Sequence, residues 1–452
     1  MSALNEMPGT ELLAAVRDGH VGVGEVAHSC LQRIEQREPV VHAFAHHDPE
    51  LVIRSAARLD ASGAATPLRG LPVAVKDLVD TSDQPTELGS AIYAGRRPEN
   101  DAAVVTRLRD AGALILGKTV TTEFALFQPG PTANPRDPGH TPGGSSSGSA
   151  AATADAMVAV AIGTQTAGSV IRPASFCGVV GFKPTFGALD RTGVKQISPT
   201  LDTVGLFGRH VPDIAAVFRA VREGVGPLPP DMPLGGTPRL GFVRTAAWEH
   251  AAPQTRRALE SLASDLAGRG WDVVDRTLPA AFDELTQAQV IVMEVEVARC
   301  LAAELREHPA LLSASTREFV ERGRARSRQE YDRALDLAAR CRSSLGGVFA
   351  GLHGLLTPAA VGEAPVGLGS TGDPVFCRAW TLLHCPAVSL PLLHGPRGLP
   401  LGVQLVGRPD TDDSLLQVAD ELMRAAPAAQ EPATSGGQLA GTRVVARRRQ
   451  RG

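Results

Sequence analysis

Between Pro142 and Ala150 the sequence reads PGGSSSGSA, four serines and three glycines in nine residues. Hydroxyls this dense on a backbone this free suit a nucleophile elbow, a phosphate cradle or a plain linker. Gly144-Ser145-Ser146-Ser147-Gly148 fits the G-x-S-x-G elbow, with Ser146 as nucleophile and His384 or His394 as a later base. An elbow must follow directly on a strand, whereas the preceding NPRDPGHTP, with three prolines in nine residues, reads as a loop. A second match, Gly112 to Thr119 (GALILGKT), has phosphate-loop spacing. Between its glycines, however, ALIL is a strand-like apolar run rather than a curl of backbone N–H groups, so Lys118 is read as a residue following a strand.

A third pattern is spread over three segments: GLPVAVKD at 70–77, GGSSSGSAAA at 143–152 and IGTQTAGSVIRPASFCGVVGFKPTFG at 162–187. In this order, with Ser169 lying 24 residues after Ser145, they resemble the amidase signature family over roughly residues 10–225 and 350–425. The resemblance implies amide hydrolysis by a Ser, cis-Ser, Lys triad. Carried over residue by residue, it makes Lys76 the base, Ser145 the bridging serine on a cis peptide, and Ser169 the nucleophile. The backbone N–H groups of Thr166, Ala167, Gly168 and Ser169 would form the oxyanion hole. No cofactor and no metal is implied.

The chemistry gives each residue type a reason. An amide carbonyl is a poor electrophile, so the attacking serine must lose its proton to a base as it attacks. Lys76 ends the apolar run LPVAV, where burial disfavours the ammonium form and lowers the pKa towards neutrality. Ser145, among small residues, would relay the proton between Lys76 and Ser169. The small residues of TQTAGS let backbone N–H groups converge on the developing alkoxide.

The match departs from the family in places. Many members carry Asp-Thr-Gly-Gly-Ser before an Ile-Arg pair; here Gln165-Thr166-Ala167-Gly168-Ser169 precedes Val170-Ile171-Arg172. Gln165 can support the loop only through amide hydrogen bonds, and Arg172 cannot be assumed to keep its counterpart's loop-supporting role. Ser147 replaces a frequent glycine, which requires a backbone that avoids positive φ. Asp77, Thr122, Glu123 and Asn134 lie in family-like segments and read as structural or supporting residues.

These residues need a scaffold. Residues 10–61 read as helices, with Thr10 able to cap ELLAAVRDGH. From 71 onward, apolar runs at 71, 113 and 157 alternate with the helical run at 102, the pattern of an α/β fold with strands buried on both faces. Strand, helix and strand follow at 239, 253 and 271, then a helical stretch at 281–349. Strands at 354, 387 and 401 and a final helix return to the first sheet. The expected architecture is one large α/β/α domain, a mixed central sheet covered by helices, over residues 1–427. Within it lie N-terminal helices (10–61), a catalytic core (62–225), a variable substrate-funnel wall (236–350) and a core return (351–427). Residues 428–452, which end in ARRRQRG, read as a disordered tail.

With 452 residues, 43% of them hydrophobic, the chain can bury a large core. A net charge of −3 gives no global attraction to nucleic acid or to an anionic membrane, and neither partner is expected. The six cysteines form no CxxC pair, and the N-terminus carries acids where a signal peptide needs bases; the expected location is cytoplasmic. A homodimer is compatible with this reading. The function that follows is cleavage of a small-molecule carboxamide to carboxylate and ammonia or amine by an amidase acting on linear amides. A glutaminase-type subunit of a tRNA-dependent amidotransferase belongs to the same resemblance; it needs a tRNA-binding partner subunit, and the Gln165–Ala167 variation argues against it. A catalytically inert binding scaffold is the third reading, and the presence of all three triad residues argues against that.

Overall fold

The computed structural model describes residues 3–222 and 236–425. In chain order the elements are α1 (Gly9–Arg17), α2 (Val23–Val41), β1 (Phe44–His46), α3 (Pro49–Ser62), β2 (Pro72–Lys76), α4 (Ala103–Asp110), β3 (Leu114–Thr119), α5 (Ser147–Ala154), β4 (Val160–Gln165) and α6 (Ile171–Cys177). Then come β5 (Val180–Lys183), β6 (Thr203–Gly208), α7 (Val211–Val221), β7 (Arg239–Phe242), α8 (Pro253–Gly268) and β8 (Asp272–Asp275). A helical stretch, α9 (Leu285–Cys300), α10 (Ala302–Glu307), α11 (Ala314–Ala325) and α12 (Arg328–Val348), precedes β9 (Gly354–Pro358), α13 (Val375–Leu382), β10 (Ala387–His394), β11 (Pro400–Val406) and α14 (Asp412–Ala425).

All eleven strands form one mixed sheet in the order β1-β3-β2-β4-β6-β5-β10-β11-β9-β7-β8. The chain is thus a single α/β domain. Strand β2 runs parallel to both β3 and β4, and every one of its residues is buried. A strand flanked by parallel neighbours and covered on both faces has no solvent side, which is why PVAVK is apolar at successive positions until its lysine. The main core joins β2, β4, β5, β6, β10 and β11 to α4, α7 and α14.

Several elements differ from the sequence reading. Helix α1 begins at Gly9, and Thr10 does not cap it: the Asp213 carboxylate, from α7, accepts the free N–H groups of Gly9 and Thr10, each at 2.8 Å. A helix start needs acceptors for its first N–H groups, and here they come from about 200 residues away. The strand placed at 157 starts at Val160. Strand β7 pairs with β9, so the segment around 239–275 extends the common sheet. Lys118 lies inside β3, not after it, and the GALILGKT segment forms a strand with no phosphate-binding curl. Its Nζ is buried and donates to the Val79 carbonyl (2.7 Å) and Thr86 Oγ1 (2.5 Å), tying down the loop that leaves β2. The tail expected at 428–452 lies outside the described residues.

Candidate active site

The end of β2 delivers Lys76. Because Val75 is in register with Ile162, the lysine lies beside the last residues of β4. Its Nζ donates to Ser145 Oγ and to Thr164 Oγ1, both at 2.8 Å. The side chain is wholly buried. Burial holds its ammonium form well below the usual lysine range, with the Asp202 carboxylate pulling in the opposite direction. Both of its hydrogen-bond partners are neutral hydroxyls, so nothing in direct contact fixes a positive charge on it.

Ser145 follows a cis peptide from Gly144, the one non-proline cis bond among the described residues. This peptide is held on both sides: the Gly144 carbonyl accepts from Arg172 Nη2 (2.7 Å), and the Ser145 carbonyl accepts from the Thr122 N–H (3.2 Å). Arg172 also donates to Thr371 Oγ1 (3.0 Å). Although displaced in sequence, it therefore does support a loop, that of Gly144 and Ser145. Ser146 precedes α5 and exchanges hydrogen bonds with the backbone of Thr164, donating to its carbonyl (3.1 Å) and accepting from its N–H (3.2 Å). That leaves it a structural clasp. Ser147 is the first residue of α5, without positive φ. Gly148 is required: a Cβ there would stand 2.1 Å from the Ala43 carbonyl oxygen.

Downstream of β4, residues 165–169 form a turn into α6, whose carbonyls are fixed from outside. The Thr166 carbonyl accepts from Gln289 Nε2 (3.0 Å) on α9, and the Ala167 carbonyl from Thr381 Oγ1 (2.8 Å) on α13. In a trans peptide the following N–H points the opposite way, so these contacts turn the Ala167 and Gly168 N–H groups away from α9 and α13. The N–H groups of Ala167, Gly168 and Ser169 have no protein acceptor among the described residues. Gly168 permits the close approach of α13: a Cβ on it would lie 2.8 Å from Pro374 Cβ and 3.1 Å from Cys377 Sγ. Gln165 does support the loop: its Oε1 accepts the Val170 and Ile171 N–H groups at the start of α6 (2.9 and 3.1 Å), while its Nε2 donates to Thr381 (3.0 Å). Thr166 Oγ1 donates to Asp202 (2.7 Å), whose carboxyl is pushed up to about 6 by burial.

Sequence reasoning missed Thr164, Asp202, Gln289 and Thr381. The remaining family-like residues act as braces. Asp77 accepts the Glu87 N–H (3.0 Å) and lies 3.7 Å from Lys118 Nζ. Thr122 Oγ1 donates to the Leu126 carbonyl, Glu123 accepts from Ser313 and Thr316 at the start of α11, and Asn134 Nδ2 donates to the Thr141 and Phe176 carbonyls. His384 stacks on Phe186 and is bonded to the Thr200 carbonyl; burial holds its pKa down to about 4. Among the described residues, no group of three or more His, Cys, Asp or Glu is placed to hold a metal ion, and no helix is long and apolar enough to cross a membrane.

Comparison with known proteins finds relatives along most of the chain. A relative from Synechococcus sp. (strain WH7803), named as a Glutamyl-tRNA(Gln) amidotransferase subunit, is 33% identical, over 90% of this chain and 95% of its own. Among solved structures, one described as an amidase superposes with a TM-score of 0.85 at 29% identity, covering 93% of this chain and all of its own. The peptide amidase of Stenotrophomonas maltophilia gives a TM-score of 0.80 at 27% identity, covering 94% and 98%. The Synechococcus relative overturns the expectation that nucleic acid plays no part, because its name ties it to a glutamyl-tRNA. Net charge failed as a guide for a physical reason: it measures direct attraction to this chain and says nothing of a reaction shared with other subunits. The amidase family model matches residues 25–416, and the chain belongs to that family, whose members act on carbon–nitrogen bonds.

Proposed function

We propose that the protein hydrolyses a carboxamide to carboxylate and ammonia, with Ser169 as nucleophile, Ser145 as proton relay and Lys76 as base. The observation that carries this reading is the 2.8 Å contact between a fully buried Lys76 Nζ and Ser145 Oγ, with no carboxylate bonded to the amine. Ser169 Oγ attacks the carbonyl carbon as its proton passes to Ser145 and the Ser145 proton passes to Lys76. The oxyanion develops against the unpartnered N–H groups of Ala167, Gly168 and Ser169, with Thr166 completing the loop. Collapse breaks the C–N bond, the proton returns through Ser145 to the leaving nitrogen, and ammonia departs. Water then attacks the Ser169 ester as its proton passes through Ser145 to Lys76; the ester C–O bond breaks and the proton returns to Ser169 Oγ, restoring the hydroxyl. Residues 236–350 would form the wall of the substrate funnel, a role supported by the reach of Gln289 to the Thr166 carbonyl.

Two settings suit this chemistry, a free-standing amidase on linear amides and the glutaminase-type subunit of a tRNA-dependent amidotransferase. The 33% identity to a protein named as part of such an enzyme, across nine-tenths of the chain, favours the second, with glutamine as the carboxamide. Replacing Ser169 with Ala is expected to lower hydrolysis by about 10⁴-fold or more and to abolish labelling by a fluorophosphonate, with the fold retained. Turnover by Ser169→Ala at the wild-type rate, or folded wild-type protein that takes no label, refutes the reading and favours an inert scaffold. Glutamine hydrolysis stimulated by a co-purifying subunit decides for the amidotransferase setting, and equal turnover of simple amides without one decides against it.

A further inference from the structure

Helix α13, with Pro374 just before it, presents one face to the 166–168 loop. Pro374 and Cys377 crowd Gly168, and Thr381 holds the Ala167 carbonyl. Arg378 sits among them, at the spacing that puts residues i, i+3, i+4 and i+7 on one side of a helix. Its Nη1 donates to Gln289 Oε1 (2.6 Å), and Gln289 Nε2 donates to the Thr166 carbonyl. The amide can stand only this way round, because a guanidinium only donates and a carbonyl only accepts. Gln289 therefore fixes Arg378 and the loop together.

The guanidinium lacks an anion. Among the described residues, no carboxylate lies within ion-pair distance of Arg378, which is half-buried. The nearby acids are otherwise engaged: Glu294 is paired with Arg322 and Arg326, and exposed Asp373 accepts the Val375 N–H. Arg172, three residues after Ser169, is also without a carboxylate partner, and its Nε and Nη1 are buried with no hydrogen bond. Arg172 braces the Gly144 carbonyl and Arg378 the 166–168 loop through Gln289; neither guanidinium is bonded to a carboxylate, and the charge of Asp373 reaches both only from beyond ion-pair distance. Buried charges are ordinarily paired, so this arrangement suits an anion brought by the substrate.

We propose that Arg378, held by Gln289, receives a carboxylate on the acyl part of the substrate, so that the preferred substrates are monoamides of dicarboxylic acids and their amino-acid relatives. The inference rests on the assignment of Ser169 as nucleophile. The leaving group, being ammonia, has no room for a charge-bearing chain, so the anion belongs to the acyl side.

The test measures kcat/KM for malonamate, succinamate, glutaramate and glutamine against butyramide, a neutral amide of similar size. Wild type is expected to favour at least one anionic amide by about 10–100-fold, the range of a charge-assisted hydrogen bond. In Arg378→Met that ratio falls at least tenfold, and Arg378→Lys retains part of it. A wild-type ratio near one for every chain length overturns the inference, as does a loss in Arg378→Met that is equal for anionic and neutral amides, which marks a role only in bracing the loop. Turnover of neutral and anionic amides with no preference, by protein whose Ser169 takes a fluorophosphonate label in a separate assay, sinks this inference alone. Absence of both turnover and labelling sinks the Ser169 assignment.

Discussion

Replacing Thr164 with Val tests how the buried lysine is made to work. The side chain keeps its shape but loses the hydroxyl that accepts from Lys76 Nζ at 2.8 Å. On the proposed mechanism the resting lysine is an amine, and that contact is a neutral hydrogen bond of about 0.5–1.5 kcal/mol. After proton transfer it becomes an ammonium, and the same contact is worth about 1.5–3 kcal/mol. Removing the acceptor therefore costs the protonated state about 1–1.5 kcal/mol more than the neutral one, or about tenfold in kcat. The sign for pH follows. Thr164 favours the ammonium, so its loss lowers the Lys76 pKa further below the usual lysine range, and the acid limb of the kcat profile moves to lower pH. The assay is ammonia release from a good amide at a series of pH values, with a thermal melt to confirm folding. Thr164→Ser keeps the hydroxyl and restores both rate and profile. An unchanged rate in Thr164→Val, or an acid limb displaced to higher pH, refutes the argument that Lys76 cycles between amine and ammonium.

Two further outcomes follow from the loop. Asp202 is buried with its carboxyl raised from 3.8 to about 6, so the folded state holds the proton more tightly and this group's stabilising contribution, complete below about 3.8, is lost as pH rises through about 6. Urea unfolding at pH 4 and pH 7.5 is expected to show wild type losing about 2.5 kcal/mol relative to Asp202→Asn over that interval, the part of the span up to about 6 that lies above pH 4, at ~1.36 kcal/mol per pH unit; a parallel pH dependence contradicts it. Gly168→Ala places a methyl against Pro374 and Cys377 and must displace the N–H groups it carries, with an expected drop in kcat of about 10²-fold and little loss of folded protein. A wild-type rate in that variant means that α13 does not set the loop.

What could be read from the sequence, and what could not, follows from the range of each interaction. Strands β2, β3, β9, β10 and β11 announce themselves as apolar runs because the sheet buries them on both faces. Strands β1, β5 and β6 do not. FAH is three residues long, while VGFK and TVGLFG are interrupted by glycines, so neither period nor length marks them. The local chemistry at Lys76, Ser145 and Ser169 leaves motifs, because each needs particular neighbours along the chain. The supports do not: Thr381 lies 214 residues from Ala167, Gln289 lies 123 from Thr166, and Asp202 lies 36 from it. Thr164 alone had a local signal, two residues beyond the partner of Val75, but one visible only once the register of β2 and β4 is known.

The order of strands in the sheet has a consequence for the protein's biosynthesis. Strands β1 to β6 form one half, strands β7 to β9 the other, and the two meet only where β10 pairs with β5 and β11 with β9. Helix α13, which props the loop before Ser169, comes just ahead of that junction in the sequence. A ribosome that has already released Lys76, Ser145 and Ser169 has therefore not yet supplied the prop. Long-range closures of this kind are slow and come late. On the proposed mechanism, the growing chain gains its hydrolytic competence only when its last strands join the halves.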